Sequence, residues 1–293
     1  MEIPLWPDSR PLQLDDRTVL QQRLDQLQPQ VSELCFAGLY LFRHAHDYRL
    51  ARLDNSLLIK GQSYHGEPYL LPPLDADPAA ALERIFNDGL SLYGVDETYC
   101  ARHLPQRRLT LAADRANADY LYLRSDLADL PGRRFHKKRN RIAYLTRRHD
   151  CRMLPFAAEH RAACLTLLDE LADTRTEPNA SPSWQAEQNA CAEALSLSDQ
   201  LGLSGVVALI DGRLRGFSLG ERLNRTTAVC HFEKSAPTLE GVAQLLNQAF
   251  AASQPGEIEL INREQDLGEA GLRQAKSSYC PLELRMKYRV SPA

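Results

Sequence analysis

The chain has 293 residues, 44% of them hydrophobic and 25% charged, with a formal net charge of −3. That length fits one large domain or two of about 140 residues, and a content of 15 Gly and 17 Pro excludes a collagen-like, coiled-coil or wholly disordered chain. The negative balance argues against a surface built wholly for nucleic acid while allowing a local basic patch.

The seven cysteines are odd in number and form no C-x-x-C pair, which fits free thiols in a reducing cytosol and neither a disulfide framework nor a metal site. The N-terminus shows no basic region followed by an apolar run, and no stretch of 18 apolar residues occurs, so a cytoplasmic protein without a membrane span is expected.

In chain order, the first half predicts helices over 18–27 and 33–44, a hairpin turning at Asp54-Asn55, a helix over 79–90 and a strand over 119–124. Residues 151–156 then read as a strand and 158–172 as a helix. After the breaker-rich stretch TRTEPNASPS a second helix runs over 184–201. From there the period changes to 2. Residues 206–210 and 214–221 form a hairpin about Asp211-Gly212, a strong type I′ signal, and 226–234 adds a third antiparallel strand. Pro237 opens an amphipathic helix with Leu239, Val242, Leu246 and Phe250 on one face. Residues 258–262 return to strand and 271–278 to helix. The chain closes on a half-buried strand in which Leu284, Met286 and Val290 alternate with Arg285, Lys287 and Arg289 on a wet face. The order β-α-α-β-β-β-α-β-α-β resembles that of the GNAT acyltransferase fold.

Three segments have chemical potential. Residues 130–149 contain eight arginines and lysines and no acid. On a helix Arg133, Arg134, Lys137, Lys138, Arg141 and Arg148 cover one broad face, and Phe135, Ile142 and Leu145 the other. This reads either as a solvated face or as a platform for the phosphates of tRNA, CoA or a lipid head group. Arg139 falls near Phe135 on the apolar side, so it needs a carboxylate, a carbonyl or a bound anion.

The second segment ends a strand at Glu233 and Lys234 just before a helix start, where Glu233 could act as general base or hold an ammonium; the alternative is a capping and ion-pair role. The third, 259–281, gathers Asn262, Arg263, Glu264, Asp266, Arg273, Lys276 and Tyr279 at a strand end and along the next helix. The spacing of three places Arg273, Lys276 and Tyr279 on one side of that helix. A loop-holding polar network is the structural alternative to a site.

SELCFAGLYLFR (32–43), DYLYLRSDLADLPGRRFHKKRN (119–140), HFEKSAPTLEGVAQLLNQAF (231–250) and NREQDLGEAGLRQAKSSYCP (262–281) resemble the bacterial family classed with the C-terminal domain of phosphatidylglycerol lysyltransferase. The resemblance spans about 32–288. It implies an α/β protein of two tandem GNAT-like domains, each a mixed, mostly antiparallel sheet flanked by helices, an arrangement shared with the Fem peptidyltransferases. The expected boundaries are 1–149, a diverged domain ending in the basic helix, and 150–293.

The implied reaction is aminoacyl transfer from aminoacyl-tRNA to an amine or hydroxyl of a lipid or small molecule, with no resident cofactor or metal. A CoA-dependent N-acyltransferase and a non-catalytic binding module are the alternatives. SAPTLEG offers Gly241 as its single glycine where a CoA pyrophosphate loop would be glycine-rich, which ranks acyl-CoA second. Glu233, Arg273, Lys276 and Tyr279 are the expected catalytic residues. Lys234, Gly241, Asn262, Arg263, Glu264 and Asp266 are expected to bind substrate. Arg134, Lys137, Lys138, Arg139, Asn140 and Arg141 would hold tRNA phosphates, with peripheral membrane contact if the acceptor is a lipid. Arg139 is expected to share one site, at the domain junction, with the segment containing Glu264 and Asp266.

Overall fold

A computed structural model describes residues 2–174 and 181–293. Most of the breaker-rich stretch, 175–180, lies outside the described residues. The chain divides into two units, and they are not contiguous in sequence. The first comprises Met1–Asp119, Gln265–Glu269 and Leu284–Ala293. The second comprises Tyr120–Glu264 and Ala270–Glu283. The division falls within a strand at 119/120: the basic helix packs on a later helix of the second unit, and residues 284–293 of the last strand belong to the first.

The first unit contains β1 (Arg10–Pro11), α1 (Arg17–Leu27), α2 (Phe36–Leu41), β2 (Arg49–Leu53), β3 (Ser56–Gln62), β4 (Pro68–Leu70), α3 (Ala79–Asn87), β5 (Leu92–Val95), α4 (Glu97–His103) and residues 109–119 of β6 (Leu109–Leu123). The Asp54-Asn55 turn joins β2 to β3, with Asp54 in the left-handed region. The two-residue β1, the three-residue β4, β5 and α4 carry too few residues to show a period and were not foreseen.

The second unit contains α5 (Arg124–Asp129), α6 (His136–Thr146), β7 (Cys151–Pro155), α7 (Arg161–Asp173), α8 (Pro182–Leu201), β8 (Ser204–Ile210), β9 (Arg213–Arg222), β10 (Thr227–Ser235), α9 (Val242–Ser253), β11 (Leu260–Asn262) and α10 (Ala270–Ser277), and β12 (Glu283–Pro292) follows. In the first unit the strands run β1-β2-β3-β4-β5-β12-β6. Leu58, Leu70, Leu82, Phe86, Leu92 and Val290 form its core. The wet face expected on β12 is not continuous, because Lys287 is fully buried.

In the second unit the order is β6-β11-β10-β9-β8-β7, all antiparallel except the β10–β11 pair, which α9 connects. Asp211 (φ 52°) and Gly212 (φ 76°) make the expected tight turn between β8 and β9. Ser181 caps α8 through the Trp184 amide, and Pro182 occupies its first turn. α9 begins at Val242 and not at Pro237, because Gly241 sits at φ 101°, outside helical space. Its apolar face, Val242, Leu246 and Phe250, packs so close to the sheet that a Cβ on Gly220 would stand 2.8 Å from the Phe250 ring. The register jumps between Cys230 and Phe232, leaving His231 as an extra, bulged residue.

Candidate functional site

In the second unit β10 and β11 run parallel, with Val229 opposite Asn262, so their C-terminal ends open side by side. Glu233 lies four residues past Val229, and Arg263 follows Asn262 directly. The two side chains meet: Arg263 Nη2 donates to Glu233 Oε1 at 3.1 Å. The second Glu233 oxygen accepts from Asn247 Nδ2 of α9 at 3.0 Å. The guanidinium carbon lies 4.9 Å from the Tyr279 ring centre and 5.7 Å from that of Tyr122. Burial is the largest single influence and works against the Arg263 charge, but Glu233, Tyr122, Tyr279 and Cys230 together hold the guanidinium pKa above its ordinary value. Two buried groups remain without a partner among the described residues, the donor Arg263 Nη1 and the acceptor Asn247 Oδ1. A buried polar group left unsatisfied costs about 1–3 kcal/mol, so two of them beside one ion pair make this place the candidate site.

The backbone that presents Arg263 is tied down on every side. Its amide donates to the Tyr120 carbonyl at 2.9 Å, and its own carbonyl accepts from Lys276 Nζ at 2.5 Å. Tyr122 donates to the Lys276 carbonyl at 2.8 Å. Buried Asn262 accepts from the Glu264 amide at 2.8 Å, holding a turn in which Glu264 adopts φ 55°. The Glu264 carboxylate meets His231 Nδ1 at 2.7 Å, while His231 Nε2 meets Glu221 at 3.0 Å. His231 thus has a carboxylate at each ring nitrogen. The bulge at His231 aims the ring at both acids.

From α6, Lys138 reaches the same place. Its Nζ donates to Ser278 Oγ at 2.6 Å and lies 3.8 Å from the Tyr279 ring centre. Desolvation, then the Arg263 and Arg141 charges, lower its pKa to about 8. Tyr279 is buried, and its hydroxyl pKa is raised by burial first; the Gln244 side chain hydrogen-bonds to it.

Several expected residues have other duties. Arg139 does not pair with Glu264 or Asp266: its Nη1 donates to the carbonyls of Leu130 and, at 2.7 Å, Gly132, closing the turn before its own helix. Its neighbour Lys138 is the α6 residue that joins the site. Asp266 belongs to the first unit, where it pairs with Arg115 at 3.0 Å and caps the Gly268 amide. Arg273 is exposed, while Lys276 and, beyond the end of α10, Tyr279 are buried. Lys276 directs its ammonium to backbone.

Gly241 serves packing, since a Cβ there would meet the Arg141 carbonyl oxygen at 2.4 Å. Lys234 points away from Glu233, as strand alternation requires, and pairs with Glu187 of α8 at 2.8 Å. On the basic segment Arg134 pairs with Asp126 at 2.5 Å and Arg141 with Glu240 at 3.3 Å; Asn140 contacts His136 within α6, and Lys137 is exposed.

Asn247, Gln244 and Tyr122 were not foreseen as site residues. A signal existed for Asn247, an amide on the buried side of an otherwise apolar helix face.

The family described as phosphatidylglycerol lysyltransferase, C-terminal, matches residues 24–291. The chain is similar to a conserved protein of unknown function from Bacteroides thetaiotaomicron, at 29% identity and TM-score 0.87, covering 97% of this chain and 99% of that one. L-PGS from Bacillus licheniformis shares the fold at 13% identity and TM-score 0.61, covering 100% and 94%. FemX shares it at 7% identity and TM-score 0.60, covering 96% of each. No curated protein sequence matches the chain.

Proposed function

The chain belongs to the phosphatidylglycerol lysyltransferase C-terminal family, and from this premise we propose that it transfers an aminoacyl group from aminoacyl-tRNA to an amine or hydroxyl of a lipid or small molecule. Family and fold are acyltransferase-like. The observation that supports the finer reading is the unspent Nη1 of buried Arg263 beside an amine, Lys138, whose pKa is held near 8.

In the proposed reaction Nη1 donates to the ester carbonyl oxygen as it gains charge, the stabilisation on which acyl transfer depends most. The acceptor's nitrogen or oxygen bonds to the carbonyl carbon, and the bond to the ribose oxygen breaks. Neutral Lys138 takes the nucleophile's proton, and its ammonium returns a proton to the leaving oxygen, with Tyr279 alongside. Glu233 and Asn247 orient Arg263, and Asn247 Oδ1 accepts from the substrate's ammonium. Exposed Lys137 and Arg133 hold backbone phosphates. A lipid acceptor would be met by peripheral contact of the same basic face; among the described residues no helix is long and apolar enough to cross a membrane. A CoA donor fits less well, because the single glycine before α9 is closed by the Arg141 carbonyl.

The test is incubation with tRNAs charged with labelled amino acids, in the presence of phosphatidylglycerol vesicles or a primary amine. Protein-dependent transfer of label, with tRNA binding weakened by salt and by Arg133→Glu with Lys137→Glu, is expected. If no charged tRNA loses label above the uncatalysed rate while an acyl-CoA raises the melting temperature, the reading is wrong.

A further inference from the structure

In the first unit a second polar cluster lies inside, built on residues 32 and 33, on the end of that unit's part of β6, and on β12. Lys287 is fully buried, and its ammonium is shared among Asp119 Oδ1 at 2.7 Å, Glu33 Oε1 at 2.7 Å and Ser32 Oγ at 3.2 Å. Asp119 also accepts from the Ser32 amide and hydroxyl, both at 2.8 Å. Glu33 differs from Asp119 in one respect: its Oε2, buried, has no partner among the described residues. Desolvation raises the Glu33 pKa to about 7, against the pull of Lys287.

Three tyrosines gather near that carboxylate: Tyr48 just before β2, Tyr69 of β4 and Tyr93 of β5. Burial raises the hydroxyl pKa of each, and the Glu33 charge adds to it. The Tyr69 and Tyr93 rings lie 5.0 Å apart at 54°, and the Tyr48 and Tyr69 hydroxyls are 3.3 Å apart. The backbone makes room for this convergence. A Cβ on Gly61 of β3 would come within 2.7 Å of the Tyr48 ring and 3.0 Å of the Tyr69 ring. A Cβ on Gly94 of β5 would stand 3.7 Å from the Glu33 Cγ. The cluster is not sealed, because Tyr93 and Glu33 are only partly buried. Arg289 sets its guanidinium carbon 5.7 Å from the Tyr69 ring centre and 5.5 Å from that of Tyr93, so both rings already accept one cation. A lone carboxylate oxygen beside aromatic faces suits an organic cation, which takes one strong hydrogen bond and cation–π contact. A hard metal ion, which needs several oxygens, suits it poorly.

We infer that the first unit binds a small organic ammonium group, received by Glu33 Oε2 and the faces of Tyr69 and Tyr93. The inference is independent of the transfer reaction, since it concerns neither Arg263 nor Lys138. The group binds the ionised carboxylate, so it competes with the proton on Glu33: affinity falls as pH drops through about 7 and levels off above it.

The experiment titrates the full chain with methylammonium, n-butylammonium and tetramethylammonium chlorides, with sodium chloride at equal ionic strength as control. Tyrosine fluorescence and melting temperature are the readouts. Saturable binding that weakens about tenfold between pH 8 and pH 6 is expected for at least one of the three, from the carboxylate fraction at each pH. Glu33→Gln keeps an acceptor for Lys287 and should weaken binding at least tenfold while removing its pH dependence. Tyr93→Leu, at a partly exposed position, is the second variant should Glu33→Gln not fold, and should weaken binding while Tyr93→Phe retains it. Absence of saturable binding by all three cations between pH 6 and 8.5 would overturn the inference. So would equal binding by the wild type and whichever of Glu33→Gln and Tyr93→Leu folds.

Discussion

The two units each bury a carboxylate–cation pair among tyrosines, and the pairs are unspent at opposite ends. In the second unit Arg263 and Glu233 leave a donor over, Arg263 Nη1. In the first, Lys287 and Glu33 leave an acceptor over, Glu33 Oε2. A buried ion pair says little by itself about function, since desolvation offsets much of its attraction. What separates the two places is which partner has hydrogen-bonding capacity left. The spare donor suits an oxygen that gains negative charge, and the spare acceptor suits a cation.

The largest effect that tests this contrast is on stability. Lys287→Met removes the ammonium that Asp119, Glu33 and Ser32 share, leaving the buried Asp119 and partly buried Glu33 carboxylates without a cation. Loss of one partner of such a pair costs about 3–5 kcal/mol, so urea unfolding should show a fall of that order, larger at pH 8 than at pH 5. The sign follows from Glu33. Lys287 pulls the Glu33 pKa down against desolvation, so in the variant the carboxyl holds its proton still more tightly, keeps it at pH 5 at little cost, and loses more stability than the wild type as the pH rises to 8. A loss under about 1 kcal/mol at pH 8 would mean that the network is solvated, and the contrast between the units would weaken.

Next comes Arg263→Lys, which keeps a positive charge for Glu233 and removes the second donor. If Nη1 stabilises developing charge, transfer should fall by about 10²–10³-fold, with substrate KM changing far less than kcat. An equal loss in both parameters would reduce Arg263 to a binding residue.

The contrast also explains what the sequence could and could not reveal. From Cys151 onward the elements follow the expected order, because 3.6 and 2 periodicities and the Asp211-Gly212 turn are local signals. Glu233 and Asn262 were each placed at a strand end for the same reason; the parallel pairing that brings those ends together is long-range. Lys287 was assigned to a wet face, since a lysine in an alternating strand looks solvated. Its partners lie 168 and 254 residues earlier in the chain, beyond any local pattern. For that same reason the return of β12 to the first unit was not legible. On α10 a spacing of three put Arg273 with Lys276, but neighbours 60° apart on a wheel can fall on either side of a stripe's edge.

A smaller effect is expected at Gly241. Alanine there is strained at φ 101° and meets a backbone oxygen, which cannot move aside as a flexible side chain would. Gly241→Ala should cost about 1–3 kcal/mol by forcing α6 away from α9. Activity should fall further than stability predicts, because α6 carries Lys138. Unchanged activity in the folded variant would separate Lys138 from the chemistry. The pH profile gives a second reading of the same residue. As a base of pKa about 8, Lys138 should make kcat rise with pH through that value, and Lys138→Gln should remove the inflection.

The smallest effect distinguishes two arginines on one segment. Arg139 was expected to find a carboxylate, a carbonyl or a bound anion; had it paired with Glu264 or Asp266, its loss would have cost as much as that of Lys287. Its guanidinium instead closes a turn by donating to the Leu130 and Gly132 carbonyls. Leu130 is a non-glycine residue at φ 48°, and it ends α5 in the left-handed region, so its carbonyl cannot continue the helix ladder and needs another donor. A charged donor to neutral carbonyls at a half-exposed position contributes about 1–2 kcal/mol. Arg139→Ala should therefore lose that much, and Arg139→Lys, which can reach one carbonyl at a time, roughly half of it. Exposed Arg133→Ala should shift stability by less than about 0.5 kcal/mol while weakening tRNA binding at low salt. Should Arg139→Ala cost as much as Lys287→Met, the arginine has an anionic partner, and the second unit, like the first, depends on a buried charge network.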